Sequence, residues 1–142
     1  MKEQGYSQCG EFNYAPAGFD EALLGYEQVL RLVGELSAEI VAPNAAKIEE
    51  EGPKAVDGRV IYAPATEEDL ELFRKAGLMG VSLPRRYGGL NFPTAVFTMM
   101  QDVVCRADAA FGNLWGLQDC AETLYNFGTA EQCERILPRI SA

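Results

Sequence analysis

Apolar side chains recur at intervals of three and four along most of this chain, the spacing that lines one face of a helix. Leu23, Tyr26, Leu30, Val33, Leu36 and Ile40 form the first such stripe, with Asp20 placed to cap it. Pro43 is expected to end or kink that helix, because its ring removes an amide donor and crowds the preceding turn. A second helical piece then runs to Gly52-Pro53. Asp57-Gly58 stands between two short β-prone runs and marks the turn of a small hairpin or of an extended loop. Thr66 is positioned to cap "TEEDLELFRKAG", with three acids in the first turn facing the positive end of the helix dipole and Gly77 as the stop.

The period then breaks. "GVSLPRRYGGLNFP", from Gly80 to Pro93, has two prolines, three glycines and an Arg pair in fourteen positions. Gly88-Gly89 permits positive φ in a tight turn, and Tyr87 can pack its ring while its hydroxyl stays in water. Helical spacing resumes at Pro93, with Ala95, Met99, Met100, Val103 and Val104 as the stripe. Leu114, Leu117, Ala121, Leu124 and Tyr125 continue it to Gly128. Thr129 to Gln132 has the form of a capping box opening a last helix, "AEQCERILPRI". The reading is an all-α domain of about six helices over residues 20–142, with residues 1–19 as an extended or mobile lead-in.

Composition narrows the chemistry. The chain has 142 residues, 48% of them apolar and 23% charged, enough for one globular domain with a real core. Its net charge of −9 argues against a nucleic-acid or anionic-membrane surface, which needs clustered Lys and Arg. There is no histidine, so Ser-His-Asp and Cys-His nucleophile systems and HExxH zinc sites are excluded within the chain. The cysteines at 9, 105, 120 and 133 form no C-x-x-C pair; they read as reduced cytosolic thiols, with Cys105 and Cys120 as small buried hydrophobes. Neither a signal-peptide core nor a membrane span is legible, and the expected location is cytoplasmic.

Taken in order, "FRKAGLMGVSLPRRYGGLNFP", "CRADAAFG" and "FGTAEQCERILPRI" closely resemble three successive signatures of the acyl-CoA dehydrogenase N-terminal domain. The matching positions are Gly77 to Gly80, Pro84 to Gly89, Arg106 to Asp108, Gly128 to Gln132, and Leu137-Pro138. The extra segment from Asp57 to Pro64 resembles the longer bacterial members. Cys133 replaces a usual basic residue, and Ile136 stands where an aromatic often precedes L-P.

The resemblance implies an all-α domain that precedes a β domain and a four-helix domain. It implies an enzyme that removes hydrogen from Cα and Cβ of an acyl-CoA, with FAD as hydride acceptor and an electron-transfer flavoprotein as oxidant. It also implies a homo-oligomer. The family's catalytic carboxylate is not among the matched positions, so no catalytic residue is named and the 142-residue chain alone is expected to be inactive. What the resemblance implies for this domain is a wall of the acyl-chain cavity, built on the helix that begins near Gly112. Trp115, Gln118 and Asp119 are the candidates for its tail-facing side; the competing reading puts Trp115 in the core and the other two against solvent or another subunit. Arg85 and Arg86 could meet the anionic coenzyme A, but loop arginines are usually solvated. The alternative function is a free-standing helical interaction module without catalysis.

Overall fold

The computed structural model describes residue 3 and residues 5–142. Among these, seven α-helical segments form five rods. The first rod joins α1 (Phe19–Leu36) to α2 (Ala42–Glu51) through a π-helical turn, Ser37–Val41. A two-stranded antiparallel hairpin follows, β1 (Lys54–Val56) and β2 (Arg59–Ile61), with Ala55 opposite Val60. Then come α3 (Pro64–Lys75), α4 (Thr94–Ala107), α5 (Ala109–Gly116) and α6 (Cys120–Phe127), the last two linked by a 3-10 turn. The chain closes with α7 (Ala130–Ile140).

α4 is the central rod, packed against α1, the π turn and α5. Val33, Val41, Phe73, Met100, Val104, Phe111 and Trp115 meet there to form the main core. Phe73 contacts Phe111 and Trp115 edge-on, with centroids 5.1 and 5.4 Å apart, a favoured aromatic geometry. A smaller cluster of Leu83, Tyr87, Ala121, Cys133 and Leu137 sits between the loop, α6 and α7.

Several local expectations hold. Asp57 (φ 50°) and Gly58 (φ 73°) make the two-residue turn of a hairpin. Gly77 (φ 72°) ends α3, with the Leu78 amide donating back to the Phe73 carbonyl at 2.9 Å, the long bond of a Schellman stop. The Thr129 hydroxyl accepts from the Gln132 amide, and the Gln132 side chain accepts from the Thr129 amide, which completes the capping box.

Others are corrected. Gly18, not Asp20, is the cap of α1, and Asp20 lies in the first turn. Pro43 neither ends nor interrupts the rod: it occupies the first turn of α2, where its missing amide is tolerated, and the wider π turn precedes it. Leu23 and Ile40 are exposed, as are Met99 and Leu117, while Val96 and Phe97 take the buried positions of α4. Thr66 is buried inside the first turn of α3, whose cap is Ala63, and Asp69 is fully buried rather than facing the dipole. Cys133 is the buried thiol; Cys105 is half-buried and Cys120 exposed.

The lead-in, read as extended or mobile, holds a 3-10 turn at Ser7–Gly10 and places Glu3 and Ala15 in buried positions.

Candidate functional site

The segment from Gly77 to Pro93 leaves α3, loops out and returns to α4 with its two limbs hydrogen-bonded to each other. The Asn91 amide donates to the Leu83 carbonyl at 2.9 Å and the Phe92 amide to the Val81 carbonyl at 3.0 Å. Such closure satisfies backbone groups that no helix or sheet covers. Gly88 takes φ 84°. Gly89 is required for space instead: a Cβ there would lie 2.2 Å from the Leu83 carbonyl oxygen and 2.6 Å from that of Gly80. On the far side, the Ser141 hydroxyl donates to the Tyr87 carbonyl at 2.6 Å, which ties the loop to the end of α7.

Arg85 was expected in solvent and is instead 3% exposed. Its guanidinium fork grips Glu3: Nη1 donates to Oε2 at 3.0 Å and Nη2 to Oε1. Nη1 also donates to Gln8 Oε1 at 2.8 Å, and the Tyr14 ring lies below at 5.8 Å. Arg85 therefore docks the lead-in on the loop, its charge already neutralised by a bidentate partner. Arg86 stacks over the Tyr87 ring at 4.7 Å and near Tyr125 at 5.8 Å. It borders a polar cleft of about 490 Å³ that also carries Glu3 and Glu122. Of the two carboxylates, Glu3 is already paired with Arg85 and Glu122 accepts from the Thr94 hydroxyl at 3.3 Å.

The three candidates for an acyl wall point in different directions. Trp115 is 1% exposed; it packs between Phe73 and Phe97, and its Nε1 donates to the Leu78 carbonyl at 3.0 Å. Gln118 is also buried and faces the loop, where its Oε1 accepts from the Val81 amide at 3.0 Å. Asp119 stands exposed on the opposite side. There, α4 and the α5–α6 rod border a groove of about 440 Å³, with Phe97, Thr98, Gln101, Leu117, Asp119 and Cys120 among its walls.

Close approach of the rods makes this groove shallow. Gly112 has room for no side chain, since a Cβ would meet Cys105 Sγ at 2.5 Å, and Gly116 is similarly filled by the Gln101 carboxamide. Gln101 Nε2 donates to the Gly112 carbonyl at 2.6 Å, which binds α4 to α5. Asp108 starts α5 by accepting from the Ala110 and Phe111 amides at 2.8 and 3.0 Å. The sequence reading put Leu117 on the helical stripe rather than on the groove, and it missed Gln101 and this cap. An Asp immediately before a helical run was the legible signal for the cap; the glycines gave none for Gln101, whose partner is set by rod packing.

Two acids depart from ordinary titration. Burial pushes the Asp69 carboxyl up, against a hydrogen bond from Asn44 Nδ2 at 2.8 Å that favours its charged form. Glu71, hydrogen-bonded by Arg74 and also by Lys75, is held down at about 2 on an exposed helix face. Among the described residues, no group of His, Cys, Asp and Glu is arranged to hold a metal ion, and no helix is long and apolar enough to cross a membrane.

Comparison with known proteins agrees with this architecture. The family model of the acyl-CoA dehydrogenase N-terminal domain matches residues 26–142. The mitochondrial isovaleryl-CoA dehydrogenase of Solanum tuberosum is 28% identical over 132 residues, 87% of this chain and 29% of that protein. The 3-methylmercaptopropionyl-CoA dehydrogenase of Ruegeria pomeroyi is 27% identical over 99 residues, 70% of this chain and 16% of its own length. A probable acyl-CoA dehydrogenase of Mycobacterium tuberculosis is 33% identical over 92 residues, 61% of this chain and 14% of its own. The chain thus spans less than a third of the relatives it matches. With the family's helices, its turn residues and the order of its signatures all in place, the chain belongs to the acyl-CoA dehydrogenase N-terminal domain family.

Proposed function

We propose that this chain serves as the N-terminal domain of an FAD-dependent dehydrogenase that introduces a Cα–Cβ double bond into an acyl-CoA, and that it contributes one wall of the acyl-chain cavity. The observation that carries the reading is the groove between α4 and the α5–α6 rod, with Leu117 and Phe97 beside Asp119 on its walls. An acyl tail needs a concave surface with apolar side chains and few unpaired polar groups. Leu117, Cys120 and the largely covered Phe97 ring supply an apolar strip of that surface, and Thr94, Thr98, Gln101, Asn113, Asp119 and Thr123 make its borders polar. Trp115 and Gln118 support the wall from behind, because both are anchored to the loop.

The chain's own part in the reaction is binding and orientation. FAD supplies the hydride-accepting chemistry in the whole enzyme. In this reading the flavin is assigned to other parts of the dehydrogenase, since the chain spans less than a third of its relatives. The catalytic base is assigned there too, and the 142-residue chain alone is inactive in this reading. An electron-transfer flavoprotein as oxidant, a homo-oligomeric assembly and a cytoplasmic location complete it.

The test is to purify the dehydrogenase that contains this segment and profile it with saturated acyl-CoAs of graded chain length and an artificial electron acceptor. The expected result is a yellow protein whose preference moves toward shorter chains when Leu117→Trp narrows the groove. A protein that reduces no acceptor with any acyl-CoA would overturn the reading.

A further inference from the structure

The 3-10 turn Leu117–Asp119 presents successive residues to opposite sides. Leu117 and Asp119 stand exposed on the groove, whereas Gln118 between them is 8% exposed and reaches the other way. Its carboxamide uses both ends: Oε1 accepts from the Val81 amide at 3.0 Å, and Nε2 lies 3.3 Å from the Leu78 carbonyl and 3.2 Å from that of Trp115. This takes a neutral side chain with an acceptor on one atom and two N–H donors on another, a combination that only the Asn and Gln carboxamides offer. Leu78 and Val81 lie just beyond the stop of α3, in backbone that no helix or sheet pairs, so Gln118 ties the start of the loop to the turn that shapes the groove. A three-residue 3-10 turn has few bonds of its own and takes its rotation from what holds it.

We infer that Gln118 is a positioning residue that couples the Gly77-to-Pro93 loop to the groove by fixing the orientation of Leu117 and Asp119. The coupling rests on geometry alone; its consequence for substrate rests on the acyl-cavity reading above. Movement of the loop is carried through the carboxamide to the turn, and from there to the groove wall. The wall formed by Leu117 thus depends on packing elsewhere in the fold.

Two features allow a direct test. Gly80 has φ 65°, and a Cβ there would lie 2.7 Å from Ser141 Oγ, so Gly80→Ala strains the loop on the side away from the groove. The exposed Cys120 thiol lines the groove next to the turn and reports on it; the other exposed thiol, Cys9, is replaced by Ser. The rate of Cys120 alkylation by N-ethylmaleimide, assigned by mass spectrometry, is measured for the parent, Gly80→Ala, Gln118→Met and the double variant. Gly80→Ala is expected to change the rate about threefold or more when Gln118 is present and by less than about 1.5-fold when it is Met. Equal effects in both backgrounds, or none in either, overturn the coupling. Gln118→Glu keeps the acceptor for Val81 but loses the donors, and it gives the same comparison where the Met variant does not fold.

The substrate consequence is read in the flavin-loaded dehydrogenase. Gln118→Met and Leu117→Ala are both expected to change the ratio of KM values for long and short acyl-CoAs by about threefold, with kcat within about twofold. If Leu117→Ala shifts the ratio and Gln118→Met does not, the positioning role fails. If neither shifts it while the thiol coupling is present, the acyl-cavity reading fails and the coupling stands.

Discussion

Removing either partner of the Glu3–Arg85 pair should undock the lead-in from the loop, and the two removals should differ in size. Both side chains are almost fully shielded, with relative exposures of 2% and 1%. Breaking a buried ion pair by deleting one partner typically destabilises by about 3–5 kcal/mol, because the remaining charge is left without its counterion. Undocking of the lead-in can return Glu3 to water once Arg85 is gone, so Arg85→Met belongs at the lower end, about 3 kcal/mol. Arg85 cannot leave as easily, since the loop that carries it is closed by the Asn91–Leu83 and Phe92–Val81 hydrogen bonds. Glu3→Met therefore belongs at the upper end, about 5 kcal/mol, unless undocking of the lead-in relieves it.

Urea unfolding followed by the fluorescence of the single tryptophan, the buried Trp115, measures the global term. Hydrogen exchange at the Phe12 and Ala15 amides, both bonded within the lead-in, measures local release. Glu3→Met/Arg85→Met should be less damaging than the sum of the singles by about 2 kcal/mol or more. The pair should respond little to 0.5 M salt, about 4 Å in Debye length, because water and ions do not reach it. Additive single effects, or singles below about 1 kcal/mol with unchanged exchange, would refute the reasoning.

Other consequences follow from single positions. Gly89→Ala should destabilise by about 2–4 kcal/mol, since its Cβ meets two backbone carbonyls that cannot retreat without opening the loop; a change below about 1 kcal/mol in urea unfolding would contradict the geometry. Asp69 has a folded pKa above its unfolded one, so its contribution to stability is present below the unfolded value and lost as pH rises through the folded value. Asp69→Asn should flatten that loss in melting curves taken from acid to neutral pH, and an unchanged profile would show that burial does not control the group. Glu71 behaves in the opposite sense: its contribution is present above the ordinary 4.5 and lost as pH falls toward about 2. Glu71→Gln should remove only that acid-side loss, and the effect should shrink with salt because the group is exposed.

Local chemistry made several elements readable in advance. Asp57-Gly58, the Gly77 stop and the Thr129–Gln132 box each satisfy backbone groups within a few residues, so their partners are written next to them. The ordered turn signatures from Gly77 to Pro138 carried the family for the same reason: steric demands of particular turns restrict residue type at fixed spacing.

What the tertiary structure alone decided is the choice among distant partners. Arg85 is buried rather than solvated because Glu3, eighty-two positions away, neutralises it. Gln118 faces the loop and Leu117 faces the groove because a 3-10 turn interrupts the α5–α6 rod and shifts the helical register that predicted the reverse for Leu117. Pro43 stays inside a rod because a π turn widens ahead of it. For Arg85 and Gln118 the hydrogen-bond partner lies outside the window over which sequence spacing has meaning, and for Pro43 and Leu117 a local change of helix type shifts the spacing itself. The sequence thus determined which helices and turns form, and only their packing determined which side chains line the groove and which hold it in place.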